Sequence, residues 1–134
     1  MSLTDEERRI VVDLEIDKAR RIMTQTDELV KLGYWDNIAN RLYYAVFHAV
    51  SALLIQDGHK VSTHKGAVVS FGQYYVKTGI MSIDDARLYS QLQTMREKSD
   101  YNCVYEISEE EIVPKIDQAK SLVSKIEELI RQQR

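Results

Sequence analysis

Apolar positions recur three or four residues apart along most of the chain, with polar residues between them, which is the period of helices packed on one face. Thr4 and Glu7 form a capping box. The Thr side chain accepts from the third helical N–H, and the Glu reaches back to the cap. Ile10, Leu14, Ala19, Ile22, Met23, Leu29 and Val30 follow as the expected inner stripe, and Gly33 supplies a left-handed stop. The first helix is therefore predicted over about 28 residues. A second runs from about Tyr34 to Gln56. Its apolar arc takes in Trp35, Ile38, Leu42, Ala45, Val46, Ala49 and Leu53, widened by Tyr43, Phe47, Val50 and Leu54. An arc that broad predicts a central helix packed on several sides.

Ser62 or Thr63 is placed to cap a short third helix over about 64–77, weakened by Gly66 and Gly72. Ser82 caps a fourth, with Asp84 and Asp85 in the first turn where the helix dipole favours acids. Leu88, Leu92 and Met95 form its inner stripe, and it frays near Asn102. Ser108 and Glu111 open a fifth, running to about Gln132, in which Pro114 is expected to bend the first turn or delay the start. No strand alternation and no internal repeat stands out. The expected fold is all-α: an antiparallel up-and-down bundle of four long helices and one short one, in a single domain spanning residues 1–134. Met1-Ser2-Leu3 is compatible with an expression scar.

Composition narrows the function classes. The formal net charge is −3, which is not the footprint of a general nucleic-acid binder. The charge is uneven, however: residues 1–40 and 99–134 each carry −3, and residues 41–98 carry +3 with all three histidines, His48, His59 and His64. A local anion or phosphate site in the middle third fits that distribution. A lone cysteine, Cys103, suits a reducing compartment and excludes cysteine-rich zinc folds. No run of eighteen apolar residues is present to span a membrane, and the N-terminus lacks a signal pattern, so a cytoplasmic location is expected.

Metal and cofactor chemistry find no support: the histidines lack the one-turn spacing of zinc helices, and no Glu-x-x-His pair or phosphate loop occurs. Two polar constellations do stand out on apolar helices. On the second helix, Asn37, Arg41, Tyr44 and His48 share a stripe, with Asn40 beside it. On the fourth, Arg96 and Asp100 lie one turn apart, followed by Tyr101. An Arg beside tyrosines can hold a phosphodiester, since the guanidinium meets two phosphate oxygens at once, or the Arg–Asp pair can be purely structural. His64 and Lys65, at the start of the third helix, form the best candidate anion-binding helix end. His48 reads either as a neutral core histidine bonded to a carbonyl or a tyrosine, or as an acid or base.

Asn40-Arg41-Leu42-Tyr43-Tyr44-Ala45-Val46-Phe47-His48-Ala49 resembles the second-helix signature of HEPN proteins, the higher eukaryote and prokaryote nucleotide-binding domains. His64-Lys65-Gly66, Phe71 and Val76-Lys77-Thr78-Gly79 resemble that family's middle section, and Arg96-Glu97-Lys98-Ser99-Asp100-Tyr101 its Arg-x-x-x-Asp-Tyr ending. The resemblance covers about residues 35–130. It implies an all-α homodimer, commonly encoded beside a minimal nucleotidyltransferase as a toxin–antitoxin pair, in which the HEPN protein is a metal-independent ribonuclease. That activity uses an Arg, four to six residues, then a His on the fourth helix, supported by a polar residue of the second.

The sequence departs there. No His follows Arg96 within six residues; Asp100 and Tyr101 occupy the region. Arg41 and His48 have the literal spacing, but on the second helix. The leading expectation is thus a nucleotide- or RNA-binding partner of a nucleotidyltransferase. Arg41, Arg96, Asp100 and Tyr101 should converge on one site, with Asn37 or Asn40 in support. The alternatives are an active ribonuclease using Arg96 with Asp100, Tyr101 or His48, and a non-catalytic bundle.

Overall fold

The computed structural model describes residues 2–134; the reading of Met1 as part of a scar lies outside them. Five helices follow one another: α1 (Asp5–Leu32), α2 (Trp35–Gln56), α3 (His64–Phe71), α4 (Ile83–Tyr101) and α5 (Glu109–Gln132). A π-helical turn, Gly72–Val76, extends α3.

Local chemistry sets most of the boundaries. Thr4/Glu7, Ser82/Asp85 and Ser108/Glu111 each close a reciprocal capping box. A cap of this kind contributes about 1 kcal/mol. Gly33 ends α1 at φ 70°, a conformation costly for residues with a Cβ, and its N–H returns to the Leu29 and Val30 carbonyls. α5 begins at Glu109 despite Pro114, so the start is not delayed. The donor that Pro114 lacks would serve the Glu110 carbonyl, which lies in the exposed first turn where water substitutes.

Side-chain bridges fix the directions of the long helices. Arg8 near the start of α1 donates to the Ile55 carbonyl near the end of α2, so these two run antiparallel. Arg20–Glu127 and Asp27–Lys120 oppose α1 to α5. Asp85–Lys125 and Gln91–Lys115 oppose α4 to α5. The result is the expected up-and-down bundle, with α3 and its π turn inserted between the second and third long helices.

α2 is its axis. Twelve of its residues are buried, and it packs against α1, α4 and α5. It is long and apolar enough to cross a membrane by composition, but two-thirds of the relevant window lies inside the bundle. α1 presents Val12, Ile16, Ala19, Ile22 and Met23 inward, leaving Ile10 and Leu14 largely exposed. The expected stripe was therefore off at its N-terminal end. Tyr75 in the π turn is buried and donates to Asp57 Oδ2 at 2.6 Å, tying the α3 segment to the end of α2.

Candidate functional site

α2 carries the floor of the site. Tyr43, Tyr44 and Phe47 form an aromatic patch, with Tyr43 and Tyr44 edge to face at 5.1 Å and Tyr43 stacked over Phe47 at 6.2 Å. Tyr43 is fully buried; Tyr44 and Phe47 are half-buried. Three other helices bring polar groups to this patch.

From α4, Arg96 lays its guanidinium on two rings, with Cζ 4.9 Å from the centre of Tyr43 and 5.6 Å from that of Tyr44. Its side chain is about 10% exposed, and its Nε has no hydrogen-bond partner. Among the described residues its carboxylate partner is Asp100, one turn on, at 3.5 Å and half-exposed. A desolvated cation held by π faces and one loose ion pair is under-satisfied, which favours an added anion. Arg41 on α2 stands over the same Tyr44 ring at 5.4 Å, held by Asn40 Oδ1, which accepts from its Nε and Nη2.

From α3, His64 turns inward. Thr63 caps α3 by accepting from the Gly66 N–H, which makes His64 the first helical residue. Its ring lies 4.4 Å from Phe47 and 5.7 Å from both Tyr43 and Tyr44. Its Nδ1 is 2.8 Å from the Tyr43 hydroxyl. Burial pushes the Tyr43 hydroxyl up to about 12 against the opposing charge of Arg96, so it stays protonated at neutral pH. Burial, and then the charges of Arg96 and His48, hold His64 below its ordinary value, which favours the neutral ring.

α1 supplies Glu15, whose Oε2 accepts from His48 Nδ1 at 2.8 Å. His48 also lies against Phe47 at 5.4 Å and Tyr44 at 6.5 Å. The expected partner of His48, a carbonyl or a tyrosine, is instead a carboxylate from another helix.

The structure thus brings together Asn40, Arg41, Tyr44, His48, His64, Arg96 and Asp100. It leaves out three expected residues. Tyr101 is 81% exposed at the end of α4. Asn37 lines a separate hollow with Gly33, Trp35 and Glu106. Lys65 points to solvent beside His64 rather than joining it in a helix-end site. Sequence reading missed Tyr43 and Phe47 as site residues by treating them as core, and Glu15 altogether. The doubled tyrosine followed by Phe47-His48 was the available signal for the first two. A groove of about 640 Å³ between α4 and α5 lies elsewhere, and its acids (Asp84, Asp85, Asp117) alternate with Arg87 and Lys115. Among the described residues, no three His, Cys, Asp or Glu side chains are grouped to hold a metal ion.

The match that decides the family spans nearly the whole bundle: the HEPN domain profile covers residues 12–132. The chain belongs to the HEPN family. Among its HEPN-like relatives, it is 31% identical to a "UPF0332 protein" of Thermotoga maritima, over 92% of this chain and 94% of that one. It is 27% identical to a "UPF0332 protein" of Archaeoglobus fulgidus, over 92% and 98%. It is also 31% identical to a Methanocaldococcus jannaschii protein named "Putative toxin MJ0605", over 74% and 72%. In this HEPN chain the arginine of the site, Arg96, comes from α4, and the nearby imidazoles come from α2 and α3.

Proposed function

We propose that this chain binds single-stranded RNA or a nucleotide through the cationic aromatic site, and works in a toxin–antitoxin-type pair with a minimal nucleotidyltransferase. The observation that carries the binding is the placement of Arg41 and Arg96 on one tyrosine ring, with Arg96 Nε unpartnered. Two guanidinium groups gathered on one ring can share the oxygens of a phosphodiester, and the half-buried rings of Tyr44 and His64 offer aromatic surface to a base. The pairing is supported by the HEPN family and by the toxin name of two relatives. We place the protein in the cytoplasm as a homodimer, with Ile10, Leu14 and Val113 among the apolar side chains left for contact.

The test is fluorescence anisotropy with a mixed-sequence RNA oligonucleotide and with ATP, on wild type and on Arg41→Ala/Arg96→Met. Binding that disappears in the double variant supports the reading. Equal binding by both proteins, or none by either, leaves the non-catalytic bundle as the better account.

A second reading, a metal-independent ribonuclease, is favoured by one specific observation: His48 and His64 flank the same two rings, Tyr44 and Phe47, that also border Arg96 or its neighbours. Cleavage of RNA in the presence of EDTA would establish it.

A further inference from the structure

The ribonuclease reading leaves open which groups move the protons, since α4 has no histidine within six residues after Arg96. The geometry supplies two from elsewhere. His64 and His48 both rest on Phe47 and Tyr44, at 4.4 and 5.4 Å and at 5.7 and 6.5 Å. Each ring is tethered through Nδ1, so in both the Nε2 atom is the one left for a ligand.

The tethers differ, and the difference assigns the roles. A carboxylate behind an imidazole accepts from Nδ1 and orients Nε2–H towards a ligand, and His48 has Glu15 there at 2.8 Å. A neutral phenol brings no charge, and His64 has Tyr43, with the Arg96 cation on that same phenol ring. We propose that His64 is the general base and His48 the general acid of a metal-free RNA cleavage, with Arg96 holding the phosphate and Tyr43 and Glu15 as positioning residues. This rests on the ribonuclease reading above.

The step balances without a co-reactant. His64 Nε2 takes the proton of a ribose 2′-hydroxyl while that oxygen forms a bond to phosphorus, and His64 Nδ1–H donates to the Tyr43 oxygen. The bond from phosphorus to the 5′-oxygen breaks, and His48 Nε2–H protonates the departing oxygen. Arg96, assisted by Arg41, stabilises the charge that builds on the non-bridging oxygens. The products are a 2′,3′-cyclic phosphate and a 5′-hydroxyl. Solvent then returns a proton to His48 and removes one from His64.

The charged and titratable groups against the two rings are Glu15 on α1, Tyr43 and Tyr44 on α2, and Arg96 on α4, with Arg41 over Tyr44 and Asp100 against Arg96 one contact further out. None of these has an ordinary pKa between 5 and 8, so the acidic limb of a pH–rate profile that needs a neutral His64 is not supplied by them.

The experiment uses the full chain and a mixed-sequence single-stranded RNA in EDTA, with RNA binding and thermal melting measured in parallel. His64→Gln and His48→Gln should each cut at least ~10²-fold more slowly at saturating RNA, the low end for removing an acid or base, so that any loss of RNA affinity is separated from the loss of catalysis. A substrate with sulfur in place of the scissile 5′-oxygen has a leaving group that needs no protonation. It should restore the rate of His48→Gln and not that of His64→Gln. His64→Gln should lose the acidic limb of the pH profile. If His64→Gln does not fold, Tyr43→Phe carries the same test, expected to slow cleavage and move the acidic limb alone. Wild-type rates in both histidine variants would overturn the assignment and leave the ribonuclease reading standing. Absence of cleavage by wild type that still binds RNA would overturn both and leave the binding reading intact.

Discussion

The guanidinium carbon of Arg96 stands 4.9 Å from the centre of the Tyr43 ring, 53 positions away in sequence and on a different helix. The two residues lock α4 to α2 at the level of the site, and a desolvated contact of this kind is worth ~2 kcal/mol. Arg96→Ala removes that contact together with the packing of the aliphatic stem, so a loss of about 2 kcal/mol or more is expected in urea denaturation. Arg96→Met keeps the stem and deletes a buried charge. It loses the same cation–π contact but also relieves the burial of an under-paired ion, and the two offset each other, so it should be clearly less destabilised than Arg96→Ala. RNA affinity should fall in both. A Met variant that binds RNA like wild type would show that the cation serves the fold alone.

Asp100 and Arg41 bracket Arg96 with opposite signs. Asp100→Asn removes a half-exposed carboxylate 3.5 Å from the guanidinium, at a stability cost of a few tenths of a kcal/mol. It should raise RNA affinity, since the phosphate no longer competes with that carboxylate. Arg41→Ala should change stability by less than ~0.5 kcal/mol. It should weaken RNA binding and flatten the plot of log affinity against log salt by ~0.7, one single-strand phosphate contact. An unchanged slope would remove Arg41 from the phosphate site.

His64 gives the fold a specific acid sensitivity. Burial first, then the Arg96 and His48 charges, hold its folded value below the ordinary 6.5. The unfolded chain therefore binds more protons as pH falls past that value, and stability contributed by the neutral ring is lost from there downward through the folded value. Asp85 acts in a separate, lower window. Burial opposes its ionisation, but bonds from Lys125 and Ser82 prevail and hold it below the ordinary 3.8, so its contribution is lost only as pH drops past that range. Urea midpoints measured from pH 7.5 to 5 should decline in wild type and decline less in His64→Gln. Equal declines would mean that His64 is not held neutral by the site.

The parts of the fold that were legible in the sequence are those fixed by neighbours within four residues. Thr4 with Glu7, Gly33, and Ser108 with Glu111 declare helix ends through chemistry that needs no tertiary partner. The face of α1 was harder. Ile10–Leu14 and Val12–Ile16 are both spaced one turn apart, and only the position of α2 decides which pair is buried. The site divides in the same way. Arg41, Arg96 and Asp100 are legible as one-turn polar spacings on apolar helices. His64 could be read only as a helix start, because its inward turn depends on Tyr43, and the Glu15–His48 bond joins positions 33 apart.

Gly66 ties that long-range placement back to a local cap. A Cβ built there would lie 2.7 Å from Thr63 Oγ1, the atom that caps α3. Gly66→Ala gains ~1 kcal/mol of helix propensity and displaces a cap worth about as much, so little change in overall stability is expected. The local effect does not cancel. His64 is the first residue after the cap, and a displaced Thr63 loosens the turn that aims its ring at Tyr43. Gly66→Ala should therefore melt within a few degrees of wild type while losing RNA affinity or cleavage, and Thr63→Ala should lose both that function and ~1 kcal/mol. Function kept at wild-type level in Gly66→Ala would mean that packing on Phe47, and not the cap, positions His64.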